Sequence, residues 1–287
     1  MTKHSTSTQP DTAGFDLDPI FRMPSMLGPA PGPRNMPKSK EHLRYKGENT
    51  TIAVRALTDE KALTRLMPPR CRLAGDPVLA VALTMLTNLG WLAGRGYNIL
   101  RVSCEVIFDG EAGPVHGNLQ LAMWENHADP ILTGREELGT PKLFANLPNA
   151  RFVGDRCDFA ADWEGFRFAE LEVDGLKQVP INPPKQYPAQ GGLPLLCYRY
   201  HLVVGDWQKP GIAAMTRSTP GNAPAPVVRE QLSGAGRYAF FTPRWEDMPT
   251  QYPFVATLSA LPLIEFRSAS VTRASGIADL AAMVTLD

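Results

Sequence analysis

Short β-prone runs, each closed by a turn, constrain this chain more than any other feature. Stretches rich in Val, Ile, Leu, Phe and Thr recur at 51–57, 77–86, 100–108, 117–124, 150–154, 165–173, 195–204, 237–242 and 262–272, with Gly, Pro and Asp between them. Strands joined by tight turns pair antiparallel, so this succession predicts a barrel or sandwich. Repeated strand–helix–strand units are missing, which disfavours a doubly wound parallel sheet. Four short helices are expected. The first is capped by Thr58, with Asp59 and Glu60 in its opening turn, and stops before Pro68. The others fall within 134–139, 253–261 and 276–284. The fold class is therefore mainly β (α+β), with few helices.

Residues 1–40 are dense in Pro, Ser, Thr and Gly, and 24–34 alone holds four prolines, too many for a helix or a central strand. The expected organisation is an extended Pro-rich arm over 1–40 and one domain over 41–287. Twenty-nine basic residues balance 29 acidic ones, so no basic excess points to nucleic acid or to a membrane surface. The longest apolar stretch, 78–86, is far shorter than the roughly 20 residues a membrane helix needs. The polar opening residues lack the apolar centre of a secretory signal, and a cytoplasmic protein is expected. Cysteines 71, 104, 157 and 197 stand far apart with no CxxC pair, which predicts reduced thiols and no zinc knuckle.

No GxGxxG, GxxxxGK[ST], HExxH or GxSxG occurs, and the five histidines have no metal-ligand spacing. No metal site is expected. One segment carries distinctive chemistry: WENHADPILTGREELGTPKLFANLP, 124–148. Pro141 has no N–H and forces Thr140 toward extended geometry, so Lys142 opens a strand immediately after a bend. On composition alone Lys142 would be a snorkelling surface lysine. Drawn instead into an apolar mouth beside Leu143 and Phe144, its ammonium would be disfavoured by desolvation, leaving a neutral amine able to attack a ketone.

This segment resembles the acetoacetate decarboxylase family, whose signature is a GRE turn followed by Gly or Ala, any residue, and Pro-Lys. Here it reads from Gly134-Arg135-Glu136 to Gly139-Thr140-Pro141-Lys142. MPSMLGPAPGPR (23–34), LMPPR (66–70) and LPLIEF (261–266) are similar to further family segments, so the likeness runs from about residue 23 to 273. The resemblance implies a conical antiparallel β-barrel with flanking helices, a homo-oligomer, no cofactor, and a Schiff-base lysine at Lys142. Such a lysine is activated by desolvation or a neighbouring cation, as acetoacetate decarboxylase exemplifies. Leu143 stands where the decarboxylase has a second lysine. The stretches 77–86 and 97–101 hold no carboxylate, and the arginine expected near Gly47 is replaced by nothing closer than Arg44 or Lys46.

The lysine is thus kept while its surroundings differ. That pattern fits a Schiff-base lyase acting on a small oxo acid by aldol or dehydration chemistry, with true β-oxo acid decarboxylation as the alternative. A non-catalytic barrel binding a small ligand is a reading from another class. Glu265, in the otherwise apolar LPLIEF, is the expected proton shuttle, though strand alternation also permits it at the surface. Tyr252, beside Pro253, is a second catalytic expectation. Glu136, Met123 and Phe144 are the expected substrate-binding residues. Without a second lysine, depression of the Lys142 pKa is expected to come from desolvation, with no nearby cation for a β-oxo carboxylate.

Overall fold

The computed structural model describes residues 20–181, 192–219, 224–277 and 283–286. Its strands are β1 (Glu48–Leu57), β2 (Cys71–Leu73), β3 (Val78–Leu89), β4 (Arg95–Gly110), β5 (Gly113–Glu125), β6 (Lys142–Phe144) and β7 (Arg151–Val153). They continue as β8 (Arg156–Trp163), β9 (Phe166–Gln178), β10 (Leu195–Val203), β11 (Asp206–Ser218), β12 (Val227–Phe240), β13 (Glu265–Ser275) and β14 (Met283–Leu286). Three α-helices, α1 (Glu60–Thr64), α2 (Ala128–Thr133) and α3 (Tyr252–Ser259), join a π-helical turn at Gly134–Leu138.

All fourteen strands form one sheet, with the order β14-β11-β10-β5-β4-β3-β1-β13-β12-β9-β8-β7 and with β2 on β4 and β6 on β5. The mainly β class is as expected, in a single large sheet. Two details depart from a closed antiparallel barrel. The sheet is an open path among the described residues, and β5 pairs parallel with both β6 and β10. The β5–β6 pairing has a simple origin, since parallel neighbours need a crossover of about a dozen residues or more and 126–141 supplies one as α2 and the π-turn.

Period-two alternation divides the sheet into two chemically different faces. Ile52, Val54, Ala56, Leu79, Val81, Leu83, Leu100, Val102 and Trp124 point into one continuous apolar core. The opposite face carries a register row of Ala53, Ala82, Arg101, Met123 and Lys142 across β1, β3, β4, β5 and β6. Next to that row, Thr51 and Thr84 share a 3.0 Å hydrogen bond.

The helices match their expected places with two corrections. Asp59, not Thr58, caps α1, its carboxylate accepting from Ala62 N at 2.7 Å, because Thr58 is buried just past β1 with its N–H donated to Pro77 O at 2.9 Å. Of the helix expected over 276–284, residues 278–282 lie outside the described residues, and Met283 and Val284 belong to β14. The described part of the arm packs on the π-turn, where Arg34 and Arg22 both ion-pair with Glu137 at 2.6 and 3.2 Å. No helix among the described residues is long and apolar enough to cross a membrane.

Asp59→Ala is expected to cost about 1 kcal/mol and to lower the melting temperature by about 2–4 °C, as loss of a helix cap does. Thr58→Ser, which leaves the cap in place, is expected to change the melting temperature less in the same calorimetric scan.

Candidate active site

Lys142 is the first residue of β6, and the chain around it is shaped to aim its side chain at the polar face. Gly139 adopts φ +71°, a left-handed conformation that suits glycine, and a Cβ there would lie 2.8 Å from Arg199 Cβ. Pro141 O accepts from Met123 N at 3.1 Å, which begins the parallel pairing with β5. Arg135 Nη1 donates to Lys142 O at 2.8 Å, and Arg199 Nη2 donates to Glu136 O at 3.0 Å. The π-turn is therefore clamped to the strand that follows it.

The Lys142 side chain is only 9% exposed, and its Nζ lies 2.8 Å from Glu125 Oε1, a side chain with no exposure at all. Nζ also donates to Pro130 O at 2.8 Å, inside α2. A buried lysine and a buried glutamate thus face each other across β5 and β6. Burial pushes the Lys142 pKa down and the Glu125 pKa up, while their mutual attraction opposes both shifts; burial dominates, and both groups are drawn toward their neutral forms. Arg34 of the arm adds like-charge repulsion that lowers Lys142 further. Removing one partner of an ionised buried pair typically costs about 3–5 kcal/mol, so this contact also constrains the fold.

Further polar groups surround the pair. Arg101, in register with Met123, donates to Thr84 Oγ1 at 3.2 Å, and its pKa is lowered by burial and raised in part by Glu125. Tyr97 lies two residues before Ile99 on the same strand face, and burial followed by the Glu125 charge raises its pKa. The buried Cys197 thiol is pushed up to about 12, mainly by desolvation. The hydroxyls of Thr133 and Thr140 are buried without a hydrogen-bond partner among the described residues. Gly134 is needed here, because a Cβ would come within 2.5 Å of Lys142 Cδ and Cε and of Thr140 Oγ1. Among the described residues, no cluster of His, Cys, Asp or Glu is placed to hold a metal ion.

A family model described as acetoacetate decarboxylase matches residues 22–272. The chain belongs to the acetoacetate decarboxylase family. No curated protein matches it. Among solved structures, an acetoacetate decarboxylase superposes with a TM-score of 0.65 at 17% identity, covering 84% of this chain and 90% of that one. The enduracididine biosynthesis enzyme MppR complexed with pyruvate gives 0.62 at 19% identity, covering 85% and 90%. MppR complexed with the condensation product of pyruvate and imidazole 4-carboxaldehyde gives 0.62 at 18%, covering 84% and 88%. At these identities the likeness is one of fold.

Of the residues expected beside Lys142, the structure brings in Met123, which is buried and directly in register with it. Glu136 lies on the π-turn and lines a cleft with Arg22, Arg34 and Glu137. Glu265 is elsewhere. It lies on β13, five strands from β6 in the sheet order, with a side chain 56% exposed and paired to Arg267 at 2.9 Å. The carboxylate that meets the lysine is Glu125. Tyr252 opens α3 and is partly exposed, while its neighbour Gln251 is the buried residue, accepting from Trp124 Nε1 at 2.7 Å and donating to Phe144 O at 2.9 Å. Phe144 turns outward and is 44% exposed, so it does not wall the lysine. The expected lack of a cation is also corrected, since Arg101 and Arg34 both act on the pair electrostatically. Alternation along GNLQLAMWE could have indicated Glu125, which shares Met123's face, but only the parallel return of β6 reveals its partner.

Gly134→Ala is expected to displace the Lys142 side chain and to reduce borohydride-trapped carbonyl adduct at Lys142 at least 10-fold, with the melting transition retained. Intact-protein mass spectrometry with peptide mapping reads the yield directly.

Proposed function

We propose that this protein is a Schiff-base lyase acting on a small oxo acid, in which Lys142 is the nucleophile and Glu125 its proton carrier. The observation that carries this reading is the buried 2.8 Å contact between Lys142 Nζ and Glu125 Oε1. Glu125 takes one proton from the ammonium, and the neutral amine adds to the substrate carbonyl carbon. A proton moves from nitrogen to the former carbonyl oxygen, and Glu125 returns its proton as that oxygen leaves as water. The products are the iminium at Lys142, one water and the glutamate anion, so charge and atoms balance. The iminium then accepts the electron pair released at the adjacent carbon.

Glu125 favours aldol or dehydration chemistry over decarboxylation. Losing carbon dioxide from the iminium requires no base, whereas removing a proton from the α-carbon does, and a carboxylate beside the nitrogen is within reach of that carbon. Arg101 supplies the cation for the carboxylate of a 2-oxo acid, a charge-assisted and bidentate partner. The fold shared with MppR, which has been captured with pyruvate and with a condensation product of pyruvate, supports the same choice. Assembly as a homo-oligomer belongs to this reading too.

Lys142→Arg is expected to abolish both turnover and trapping while folding normally, because a guanidinium stays charged and forms no iminium. Turnover near the wild-type rate in that variant would remove the mechanism.

Glu125→Gln separates the two roles of the carboxylate. Turnover is expected to fall by roughly 10²- to 10⁴-fold, the usual worth of a positioned acid or base. The pH at which Lys142 becomes reactive should move the opposite way. Glu125 attracts the ammonium and so raises the lysine pKa; without that attraction, the inflection of trapping rate against pH is expected at lower pH than in the wild type. An inflection shifted upward, or left in place with full turnover, would show that Glu125 does not govern the lysine. Glu265→Gln, in contrast, should change neither.

Purified protein is expected to condense pyruvate with an aldehyde and to release little carbon dioxide from acetoacetate. Rapid carbon dioxide release, lost in Lys142→Ala, would establish decarboxylation instead.

A further inference from the structure

The strand that carries Lys142 has a second cleft on its other side. Because side chains alternate, Lys142 points to the polar face while Leu143 points away from it, and Leu143 lines a hollow of about 330 Å³ with Leu66, Leu121, Phe254 and Leu258. That volume is at the lower end of the range for small-molecule sites, and an apolar lining with a few polar groups is their usual character. Phe254 is 48% exposed, although it belongs to a helix whose Val255 and Leu258 are buried. The wall contains one charged side chain, Arg135. Among the described residues, no carboxylate forms an ion pair with it. Arg135 is an exposed residue, and one of its nitrogens donates to Lys142 O, which orients the guanidinium and leaves its other N–H groups available.

An apolar hollow whose single charged lining residue is an arginine is complementary to an anion with a hydrocarbon body. We propose that this cleft is a binding site for a small amphipathic carboxylate, its tail against Leu66, Leu121, Leu143 and Phe254 and its carboxylate on Arg135. The site is separate from the Lys142 amine, with the β5–β6 backbone between them. Through the Arg135 hydrogen bond, an occupant touches the main chain of the reactive lysine without entering the chemistry.

Octanoate is a suitable probe, and isothermal titration calorimetry of the full chain is the measurement. The wild type should bind one octanoate per chain, and octan-1-ol, which has the same tail without the charge, should bind at least 10-fold more weakly. Arg135→Gln should weaken octanoate at least 10-fold. Thr257→Trp, at an exposed position on the rim, should fill the cleft and abolish binding. Lys142→Ala should leave binding unchanged, so that failure of this site and failure of the Schiff-base reading are told apart. The proposal is overturned by any of five results: no octanoate binding by the wild type at millimolar concentration, equal binding by octanol, undiminished binding in a folded Arg135→Gln, undiminished binding in Thr257→Trp, or loss of binding in Lys142→Ala, which would assign the ligand to the amine pocket. A Thr257→Trp protein that changes its assembly mass, with no octanoate bound by the wild type, would make the face a subunit contact and would equally overturn it. Should Arg135→Gln fail to fold, the Thr257→Trp comparison decides alone.

Discussion

The contact between Lys142 and Glu125 is the constraint around which the site is arranged. Two ionisable groups in a nearly dry environment are costly to keep, because water solvates each charge far better than a protein interior does, and they are tolerated when each is the other's partner. Holding the pair demands a fixed register between β5 and β6. That register is secured by Pro141 O and Lys142 O, which accept from Met123 N and Arg135 Nη1. The glycines at 134 and 139 follow from the same demand, one clearing space for the lysine stem and the other turning the chain back.

Placing the pair on the face opposite the hydrophobic core lets two kinds of packing share one sheet. Core residues such as Ile52, Leu83, Leu100 and Trp124 supply cohesion, and their alternating neighbours are free to be Thr84, Arg101 and Glu125. A sheet separates these functions at single-residue resolution because adjacent side chains leave the backbone in opposite directions. Trp124 and Glu125 illustrate it, being consecutive, both fully buried, and in chemically unrelated surroundings. Gln251 joins the two strands from the core side, bonding Trp124 and Phe144 O at once.

Although Leu143 and not a second lysine follows it, Lys142 still has a cationic neighbour, contributed by the arm. Arg34 reaches the pair's electrostatic field while held by Glu137 on the π-turn, so a segment more than a hundred residues upstream tunes the amine. Arg101 acts on Glu125 and Arg34 on Lys142, so each member of the pair feels a guanidinium from a separate element. A lysine poised by burial and by charges from separate elements is sensitive to the whole fold, unlike one poised by its immediate sequence neighbour.

The amino-acid sequence by itself determined the β-rich class, the positions of most strands though not of β2, β8, β11 or β14, and the bend that places Lys142 at the start of β6. Each of these is local: alternation, turn residues and the Pro-Lys junction act over a few positions. It also indicated Met123, whose strand ends beside the turn. It could not determine that Glu125 meets the lysine, that Glu265 and Phe144 face elsewhere, or that Gln251 and not Tyr252 turns inward. Those outcomes depend on which strands become neighbours, above all on the parallel return of β6 along β5. A carboxylate seventeen positions from a lysine becomes its partner only when a crossover brings the two strands side by side, and the energy that selects the crossover comes from the packing of the whole sheet.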